Sequence, residues 1–159
     1  MLAEYVVLLH IAFMFAGVAA ADGVGFLAFR ILGSRDLAAI RTTYRFTLPL
    51  GKVVPLLFLA GLVFGVIAIF TVGFNPFEPW LIIAYVLFVM QIAISVVFVE
   101  KWHHRVHELA SAPDADPSSG ALAAALADRT ARTAWYIQIL LIFFFLFDMV
   151  VKPFSDRFL

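Results

Sequence analysis

The stretch VVPLLFLAGLVFGVIAIFTVG, residues 53–73, carries no charged side chain and decides the fold class. At a rise of about 1.5 Å per residue, a helix of this length crosses the roughly 30 Å of hydrocarbon in a bilayer. Inside lipid the backbone must satisfy its own hydrogen bonds, which favours a helix. Three further apolar runs are of similar length, so the predicted spans are residues 5–29, 53–73, 80–99 and 134–152. We predict an all-α bundle of four transmembrane helices that forms one integral membrane domain over residues 1–159.

The composition supports lipid as the solvent. Hydrophobic residues make up 64% of the chain and charged residues 14%, and the mean hydropathy is +1.03. A soluble chain of 159 residues needs more polar surface than this. The absence of cysteine excludes disulfides, thiolate metal sites and thiol nucleophiles. The formal net charge is zero, so nucleic acid is not an expected partner.

Lysine and arginine are distributed unevenly among the connections between the predicted spans. Most lie in the connections after the first and third spans, whereas the opposite side has only Lys152 and Arg157. The positive-inside rule therefore predicts that both termini lie outside and that the two long connections are cytoplasmic.

The first long connection contains a short amphipathic segment. Ser34 can cap a helix whose apolar residues recur at helical spacing from Leu37 to Tyr44. Such a helix could lie in the lipid interface, although an ordinary loop with positive-inside residues accounts for the same pattern and is favoured. Pro49 and Pro55 are expected at the first turn or at a kink of the second span. The candidate contacts to anionic headgroups or a partner are Arg35, Arg41, Arg45 and Lys52.

The second long connection is expected to form a stalk that extends the third and fourth helices into the cytoplasm. The third span continues through VFVEKWHHRVHELA, residues 97–110, without a helix breaker. A linker rich in Pro, Ser and Asp follows at residues 111–120. The next segment, ALAAALADRTART, favours a helix that runs without interruption into the fourth span. This stalk could dock a partner or simply join two helices.

Asp22 is an ionisable residue within the first predicted span, and such residues are functional candidates by default. Counted from the outer end, it lies ~26 Å along the helix, close to the inner headgroup level. An ion pair with Arg30, Arg45 or Lys52 is the favoured interpretation. The alternative is a carboxylate that binds a proton or a cation.

The small residues around Asp22 predict close helix packing. Alanine and glycine recur every four positions along residues 12–25, and Gly61 and Gly65 have the same spacing in the second span. We expect the first two helices to touch along these faces, with Asp22 facing protein and not lipid.

His10 and Asp148 are predicted at similar depths, ~7.5 Å and ~6 Å below the outer ends of their helices. A hydrogen-bonded or ionic pair is feasible if these helices are neighbours. His10 could equally be a polar residue that reaches the interface. A b-type haem on His10 is a further alternative, which requires Met14, Met149 or a second copy to supply the other axial ligand.

Further polar residues have weaker functional signals. His103, His104 and His107 could bind a divalent metal, but contact with lipid headgroups is the favoured interpretation. Gln91 and Gln138 are candidates for hydrogen bonds between helices. The sequence contains no nucleophile–base arrangement, phosphate loop or zinc-protease pattern, so we do not expect an enzyme.

Three short motifs are similar to a known family. LLHI at residues 8–11, NPFEPWLIIAYVLFV at residues 75–89 and FDMVVKP at residues 147–153 resemble the bacterial family of predicted integral membrane proteins called DUF2269. The resemblance implies a four-span protein of the bacterial cytoplasmic (inner) membrane and adds weight to His10, Trp80 and Lys152. It names no activity, and neither the histidine cluster nor Asp22 matches the family pattern.

Three functional hypotheses follow. The first is a non-enzymatic scaffold or accessory subunit, acting as a homo-oligomer or within a larger membrane complex. The second is a transporter coupled to protons or ions through an intramembrane carboxylate. The third is a b-type haem protein that uses His10.

Overall fold

The computed structural model describes residues 1–155, apart from the side chain of Leu32, and Arg157 of the charge count lies outside this range. The elements of the described chain are α1 (Leu2–Leu32), α2 (Leu37–Val72), α3 (Pro79–Ile94), a π-helix (Ser95–Glu100), α4 (Lys101–Ser111), α5 (Gly120–Leu126) and α6 (Arg129–Val151).

Four helical stretches of the described chain are long and apolar enough to cross a membrane: Leu2–Ile31, Leu37–Val72, Pro79–Ser111 and Gly120–Val151. Each contains one predicted span, to within a residue at the ends. The all-α class with four apolar helices is therefore confirmed.

The outer surface of these helices is apolar, as expected for a protein whose solvent is lipid. Large side chains such as Phe15, Phe70 and Phe143 are 73%, 68% and 66% exposed. A water-soluble protein would not leave such long apolar faces uncovered. The chain therefore has the character of a multi-pass membrane protein, and the direction in which it crosses the membrane stays a prediction.

The chain divides into two compact units, Met1–Asn75 and Pro76–Leu159. In the N-terminal unit, α1 and α2 form an antiparallel helical pair joined by a short turn. The ring of Phe13 stacks on Phe64 with centroids 5.6 Å apart, and the ring of Phe58 lies against Gly17. The predicted contact between the first two helices on their small residues is confirmed.

The start of α2 differs from the sequence prediction. Asp36, and not Ser34, is the N-cap, because its Oδ1 accepts hydrogen bonds from the amides of Ala38 and Ala39 at 2.9 and 3.2 Å. Ser34 instead donates its hydroxyl to the carbonyl of Ile31, at the end of the preceding helix.

α2 is one continuous helix from Leu37 to Val72, and neither a loop nor a separate interfacial segment precedes its membrane part. The apolar side of its first turns faces protein, since Ile40 is 0% and Tyr44 is 2% exposed. Pro49 and Pro55 lie inside the helix and not in its first turn. Burial of Ile40 and Tyr44 stabilises the early helical turns, which local propensity alone left uncertain.

In the C-terminal unit, α3 and the π-helix run antiparallel to α6. Contacts along the pair join Trp80 to Lys152 at one end and Gln91 to Gln138 further along. The stalk beyond this pair consists of α4 and α5. The indole Nε1 of Trp102 donates a buried hydrogen bond of 2.7 Å to the carbonyl of Ala125, which fastens the two stalk helices together.

Within the predicted linker at residues 111–120, residues 112–119 form a series of turns between α4 and α5. The uninterrupted helix predicted after it is wrong, since α5 ends at Leu126 and α6 begins at Arg129. Asp128 causes the break by capping α6, with its Oδ1 accepting from the amides of Thr130 and Ala131 at 2.8 and 3.3 Å. Aspartate favours this cap over a position inside a helix.

Candidate functional site

His10 lies on α1, and its ring Nδ1 is 2.7 Å from the backbone carbonyl oxygen of Gly61 on α2. A carbonyl oxygen only accepts hydrogen bonds, so Nδ1 carries the proton and donates this bond. In the neutral ring, Nε2 is then left as an acceptor or a metal-binding atom. The bond to Gly61 therefore holds the neutral His10 ring in the tautomer with its proton on Nδ1, and no charged group is needed for this.

Two glycines of α2 make room for the side chains of α1. A Cβ on Gly65 would lie 2.8 Å from Cε1 and Nδ1 of His10, and a Cβ on Gly61 would lie 2.6 Å from Sδ of Met14. The glycine pattern thus forms two adjacent notches, filled by side chains one turn apart on α1. The sequence predicted the close approach of the helices, but it did not identify His10 as the group that occupies the glycine notch.

Asp22 is half-buried on α1 and does not form the ion pair that the sequence analysis favoured. Within residues 1–155, its carboxylate has no salt bridge to Arg30, Arg45 or Lys52. All three cations are exposed, where headgroups or water can solvate them. A proton- or cation-binding role for Asp22 stays a prediction.

Gln138 makes a hydrogen bond between two helices, as predicted. Its Nε2 donates to the backbone carbonyl of Gln91 at 3.4 Å, and Gln138 is 7% exposed. The side-chain Oε1 of Gln91 is also buried, and it has no hydrogen-bond partner within the described residues. The C-terminal unit is therefore polar at this level, and one of its polar atoms there, Oε1 of Gln91, has no hydrogen-bond donor within the described residues.

Asp148 is the least exposed ionisable side chain among the predicted candidates. It is 2% exposed, and neither of its carboxylate oxygens has a hydrogen-bond partner within residues 1–155. Lys152 follows the last residue of α6, and its amide donates to the backbone carbonyl of Asp148 at 2.8 Å, not to the carboxylate. The backbone of Lys152 turns left-handed at φ 48°, and its Nζ lies 5.4 Å from the ring centroid of Trp80.

A buried carboxylate without a partner is costly, because the interior offers neither water nor a counter-charge. Such a carboxylate persists where a proton or a cation neutralises its charge, or where a polar group donates hydrogen bonds to its oxygens. Asp148 is therefore the clearest chemical candidate in the C-terminal unit. The predicted pair of His10 with Asp148 joins residues of different units, and it stays a prediction.

The histidine cluster does not form a metal site within the described residues. No group of three or more His, Asp or Glu side chains there could hold a metal ion. His103 and His107 are half-buried on the stalk, and Nε2 of the exposed His104 lies 3.9 Å from Oε1 of Glu100. One helical turn separates the members of this last pair, which is an ordinary surface arrangement.

The basic residues of the first connection lie on the surface, from the turn before α2 to nearly the middle of this helix. The exposed members of this set are Arg35, Arg41, Arg45 and Lys52. Exposure is compatible with the predicted contact to headgroups or to a partner. Arg35 lies in the turn before α2, with its backbone in the left-handed region at φ 56°.

The geometry of α1 argues against one of the haem arrangements. His10 and Met14 pack into neighbouring notches of the same helix, α2. The two axial ligands of a haem iron must approach from opposite faces of the porphyrin plane. His10 and Met14 therefore cannot serve one haem together. Ligation with Met149 or by a second copy stays a prediction.

Comparison with protein-family models, with curated proteins and with solved structures gave no match to the chain. The resemblance to DUF2269 accordingly stays a prediction that rests on the three short motifs.

Proposed function

We propose that this protein binds a proton or a monovalent cation at Asp148 and works in proton- or cation-coupled transport across a membrane. The observation that carries the proposal is the burial of both Asp148 oxygens without a hydrogen-bond partner within residues 1–155. Ionisable groups inside membrane helices commonly mark ion pathways and proton relays.

Two further polar side chains support a route within the C-terminal unit, and His10 is a separate polar site of the N-terminal unit. Gln138 and the unsatisfied Oε1 of Gln91 lie deeper along the same helical pair as Asp148. In the N-terminal unit, His10 has a free Nε2 once Nδ1 donates to Gly61. Carboxylates and imidazoles are the groups that relay protons in membrane proteins.

The test is proton uptake by proteoliposomes under a potassium diffusion potential. The Asp148→Asn variant should lose uptake, because the amide has nearly the same shape but takes up no proton. The matched control is Asp114→Asn, which changes an exposed carboxylate of the linker and should leave uptake unchanged. Uptake by Asp148→Asn equal to that of the unaltered protein would refute the proposal.

Infrared difference spectroscopy gives a direct reading of the same site. The C=O stretching band of a protonated carboxyl group should titrate in the unaltered protein and be missing in Asp148→Asn. If the band persists in that variant, the proton is bound elsewhere, and Asp22 becomes the group to substitute.

A second candidate function is a non-enzymatic accessory subunit or scaffold, and the stalk favours it. The helix from Pro79 to Ser111 has 33 residues, whereas about 20 suffice to cross a bilayer. The bond from Trp102 to Ala125 keeps the extra length ordered. An ordered projection is suited to docking another protein.

Site-specific photo-crosslinking in cells tests this second candidate. A photoreactive residue in place of exposed Arg105 on α4 should give one discrete adduct with a defined partner, or with a second copy. The same residue in place of lipid-facing Phe143 on α6 is the control and should not give that adduct. The absence of a discrete stalk adduct, or the same adduct from both positions, counts against a docking role.

A further inference from the structure

The C-terminal unit has an open groove of about 350 Å³ between the end of α3 with its π-helix and the start of α6. The wall from α3 and the π-helix is apolar and carries Ile94 and Phe98. The wall from α6 carries Arg129, Thr130 and Thr133 at its start and the apolar Ala134 and Ile137 further on. Its lining therefore separates into two chemically different parts.

The two parts follow the axis of α6 in order. Arg129 and Thr130 lie in the first turn, Thr133 lies one turn on, and Ile137 lies one turn beyond it. From Arg129 to Ile137 the helix advances ~12 Å. The groove thus changes from cationic and hydroxyl-lined to purely apolar over the distance that separates a lipid phosphate from the upper part of its acyl chains.

The charges around the polar part favour an anion. Arg129 is exposed and forms no ion pair within residues 1–155, so its guanidinium is available for a bidentate phosphate contact. The neighbouring carboxylate of Asp128 already accepts the amides of Thr130 and Ala131 as a helix cap. Its negative charge is in part balanced by those amides.

The π-helix forms part of the apolar wall, since Phe98 belongs to it. A π-helix widens one turn of an otherwise α-helical rod, and such turns are frequent at binding sites. Phe98 is 44% exposed and Ile137 is 41% exposed, so the wall is open to lipid from the side. A water-soluble ligand would gain little from such an apolar wall, whereas an acyl chain would lie along it.

We propose that this groove binds one phospholipid with an anionic headgroup, its phosphate on Arg129 and the two threonine hydroxyls and an acyl chain along Ile137, Phe98 and Ile94. The site is distinct from the arginines of the first connection, and it does not depend on ion binding at Asp148. Attraction of anionic lipid by a single arginine at the membrane surface corresponds to a roughly fivefold preference over a zwitterionic lipid.

The test is native mass spectrometry of the purified full chain with phosphatidylglycerol and phosphatidylcholine of identical acyl chains. The unaltered protein should retain one phosphatidylglycerol with about fivefold preference. Arg129→Gln should abolish the preference. The control Arg105→Gln, on the exposed side of α4, should keep it.

Two further arms separate the sources of the phosphate group. Inorganic phosphate in excess should not displace the lipid, because it has no acyl chain to fill the apolar wall. The variant Ile94→Trp should fill the groove and reduce retention of both lipids. The proposal is overturned if Arg129→Gln behaves like the unaltered protein, if both lipids bind equally, or if phosphate alone competes.

Discussion

Replacing Gly65 by alanine should push His10 out of its notch on α2. The new Cβ would lie 2.8 Å from His10 Cε1 and Nδ1, whereas ordinary contact begins at 3.4 Å. The ring must therefore move by at least about 0.6 Å. A movement of this size competes directly with the 2.7 Å hydrogen bond from Nδ1 to the carbonyl of Gly61.

The expected cost follows from three contributions. Losing the hydrogen bond costs about 1 kcal/mol, and overpacking a tight helix contact costs about 1–3 kcal/mol. Alanine gains back up to about 1 kcal/mol of helix propensity over glycine. The free energy of unfolding of Gly65→Ala should therefore fall by about 1–3 kcal/mol.

Denaturation of the detergent-purified protein measures this change. Gly51→Ala is the matched control, because it lies in the same helix and nothing lies within 4 Å of its added Cβ. That variant should be neutral or gain up to about 1 kcal/mol. Nitrogen NMR of ¹⁵N-labelled histidine should also show His10 leaving its Nδ1-protonated tautomer in Gly65→Ala alone. Equal stability of the two variants, with an unchanged tautomer, would refute the tight packing of His10 against Gly65.

Three further predictions concern the stalk and its connections. Trp102→Phe should destabilise the protein by about 1 kcal/mol in thermal unfolding, because the carbonyl of Ala125 loses the 2.7 Å bond from the indole and keeps only the 3.3 Å bond from the amide of Asp128; no change would mean that water replaces the indole. Asp128→Ala should cost about 1 kcal/mol and speed amide exchange in the first turn of α6, whereas unchanged exchange would mean that its cap is dispensable. Hydrogen bonds from Ser118 lower the pKa of Asp116 to about 2 from the ordinary 3.8. The stabilisation of the linker turn by ionised Asp116 is therefore complete above pH 3.8 and should be lost as the pH falls towards 2. Amide exchange of Ser118 can follow this loss, and Asp116→Asn should remove the pH dependence.

The membrane spans could be predicted because they depend on composition and length, which are local properties. The seam between α1 and α2 could also be predicted, since glycine spacing reports where backbones approach. The start of α2 could not, because burial of Ile40 and Tyr44 is a tertiary effect that outweighs the loop-like appearance of its residues.

The details of the candidate site were beyond the sequence for similar reasons. Asp148 was identified from its type and depth, but its lack of a partner depends on where Lys152 turns at the end of α6. The acceptor of His10 is a backbone carbonyl, which no side-chain pattern can reveal. The expected ion pair of Asp22 failed because matched depth along two helices does not fix the direction of either side chain.

Pro49 and Pro55 lie inside α2, and neither ring nitrogen carries a hydrogen. The carbonyls of Arg45 and Gly51 consequently receive no proton from the position four residues further on. Two backbone hydrogen bonds of the helix are missing within fewer than two turns, so this stretch resists bending less than the half of the same helix that carries Gly61 and Gly65. Slow tilting of the first turns of α2 about this point would leave His10 in contact with Gly65 and hydrogen-bonded to Gly61.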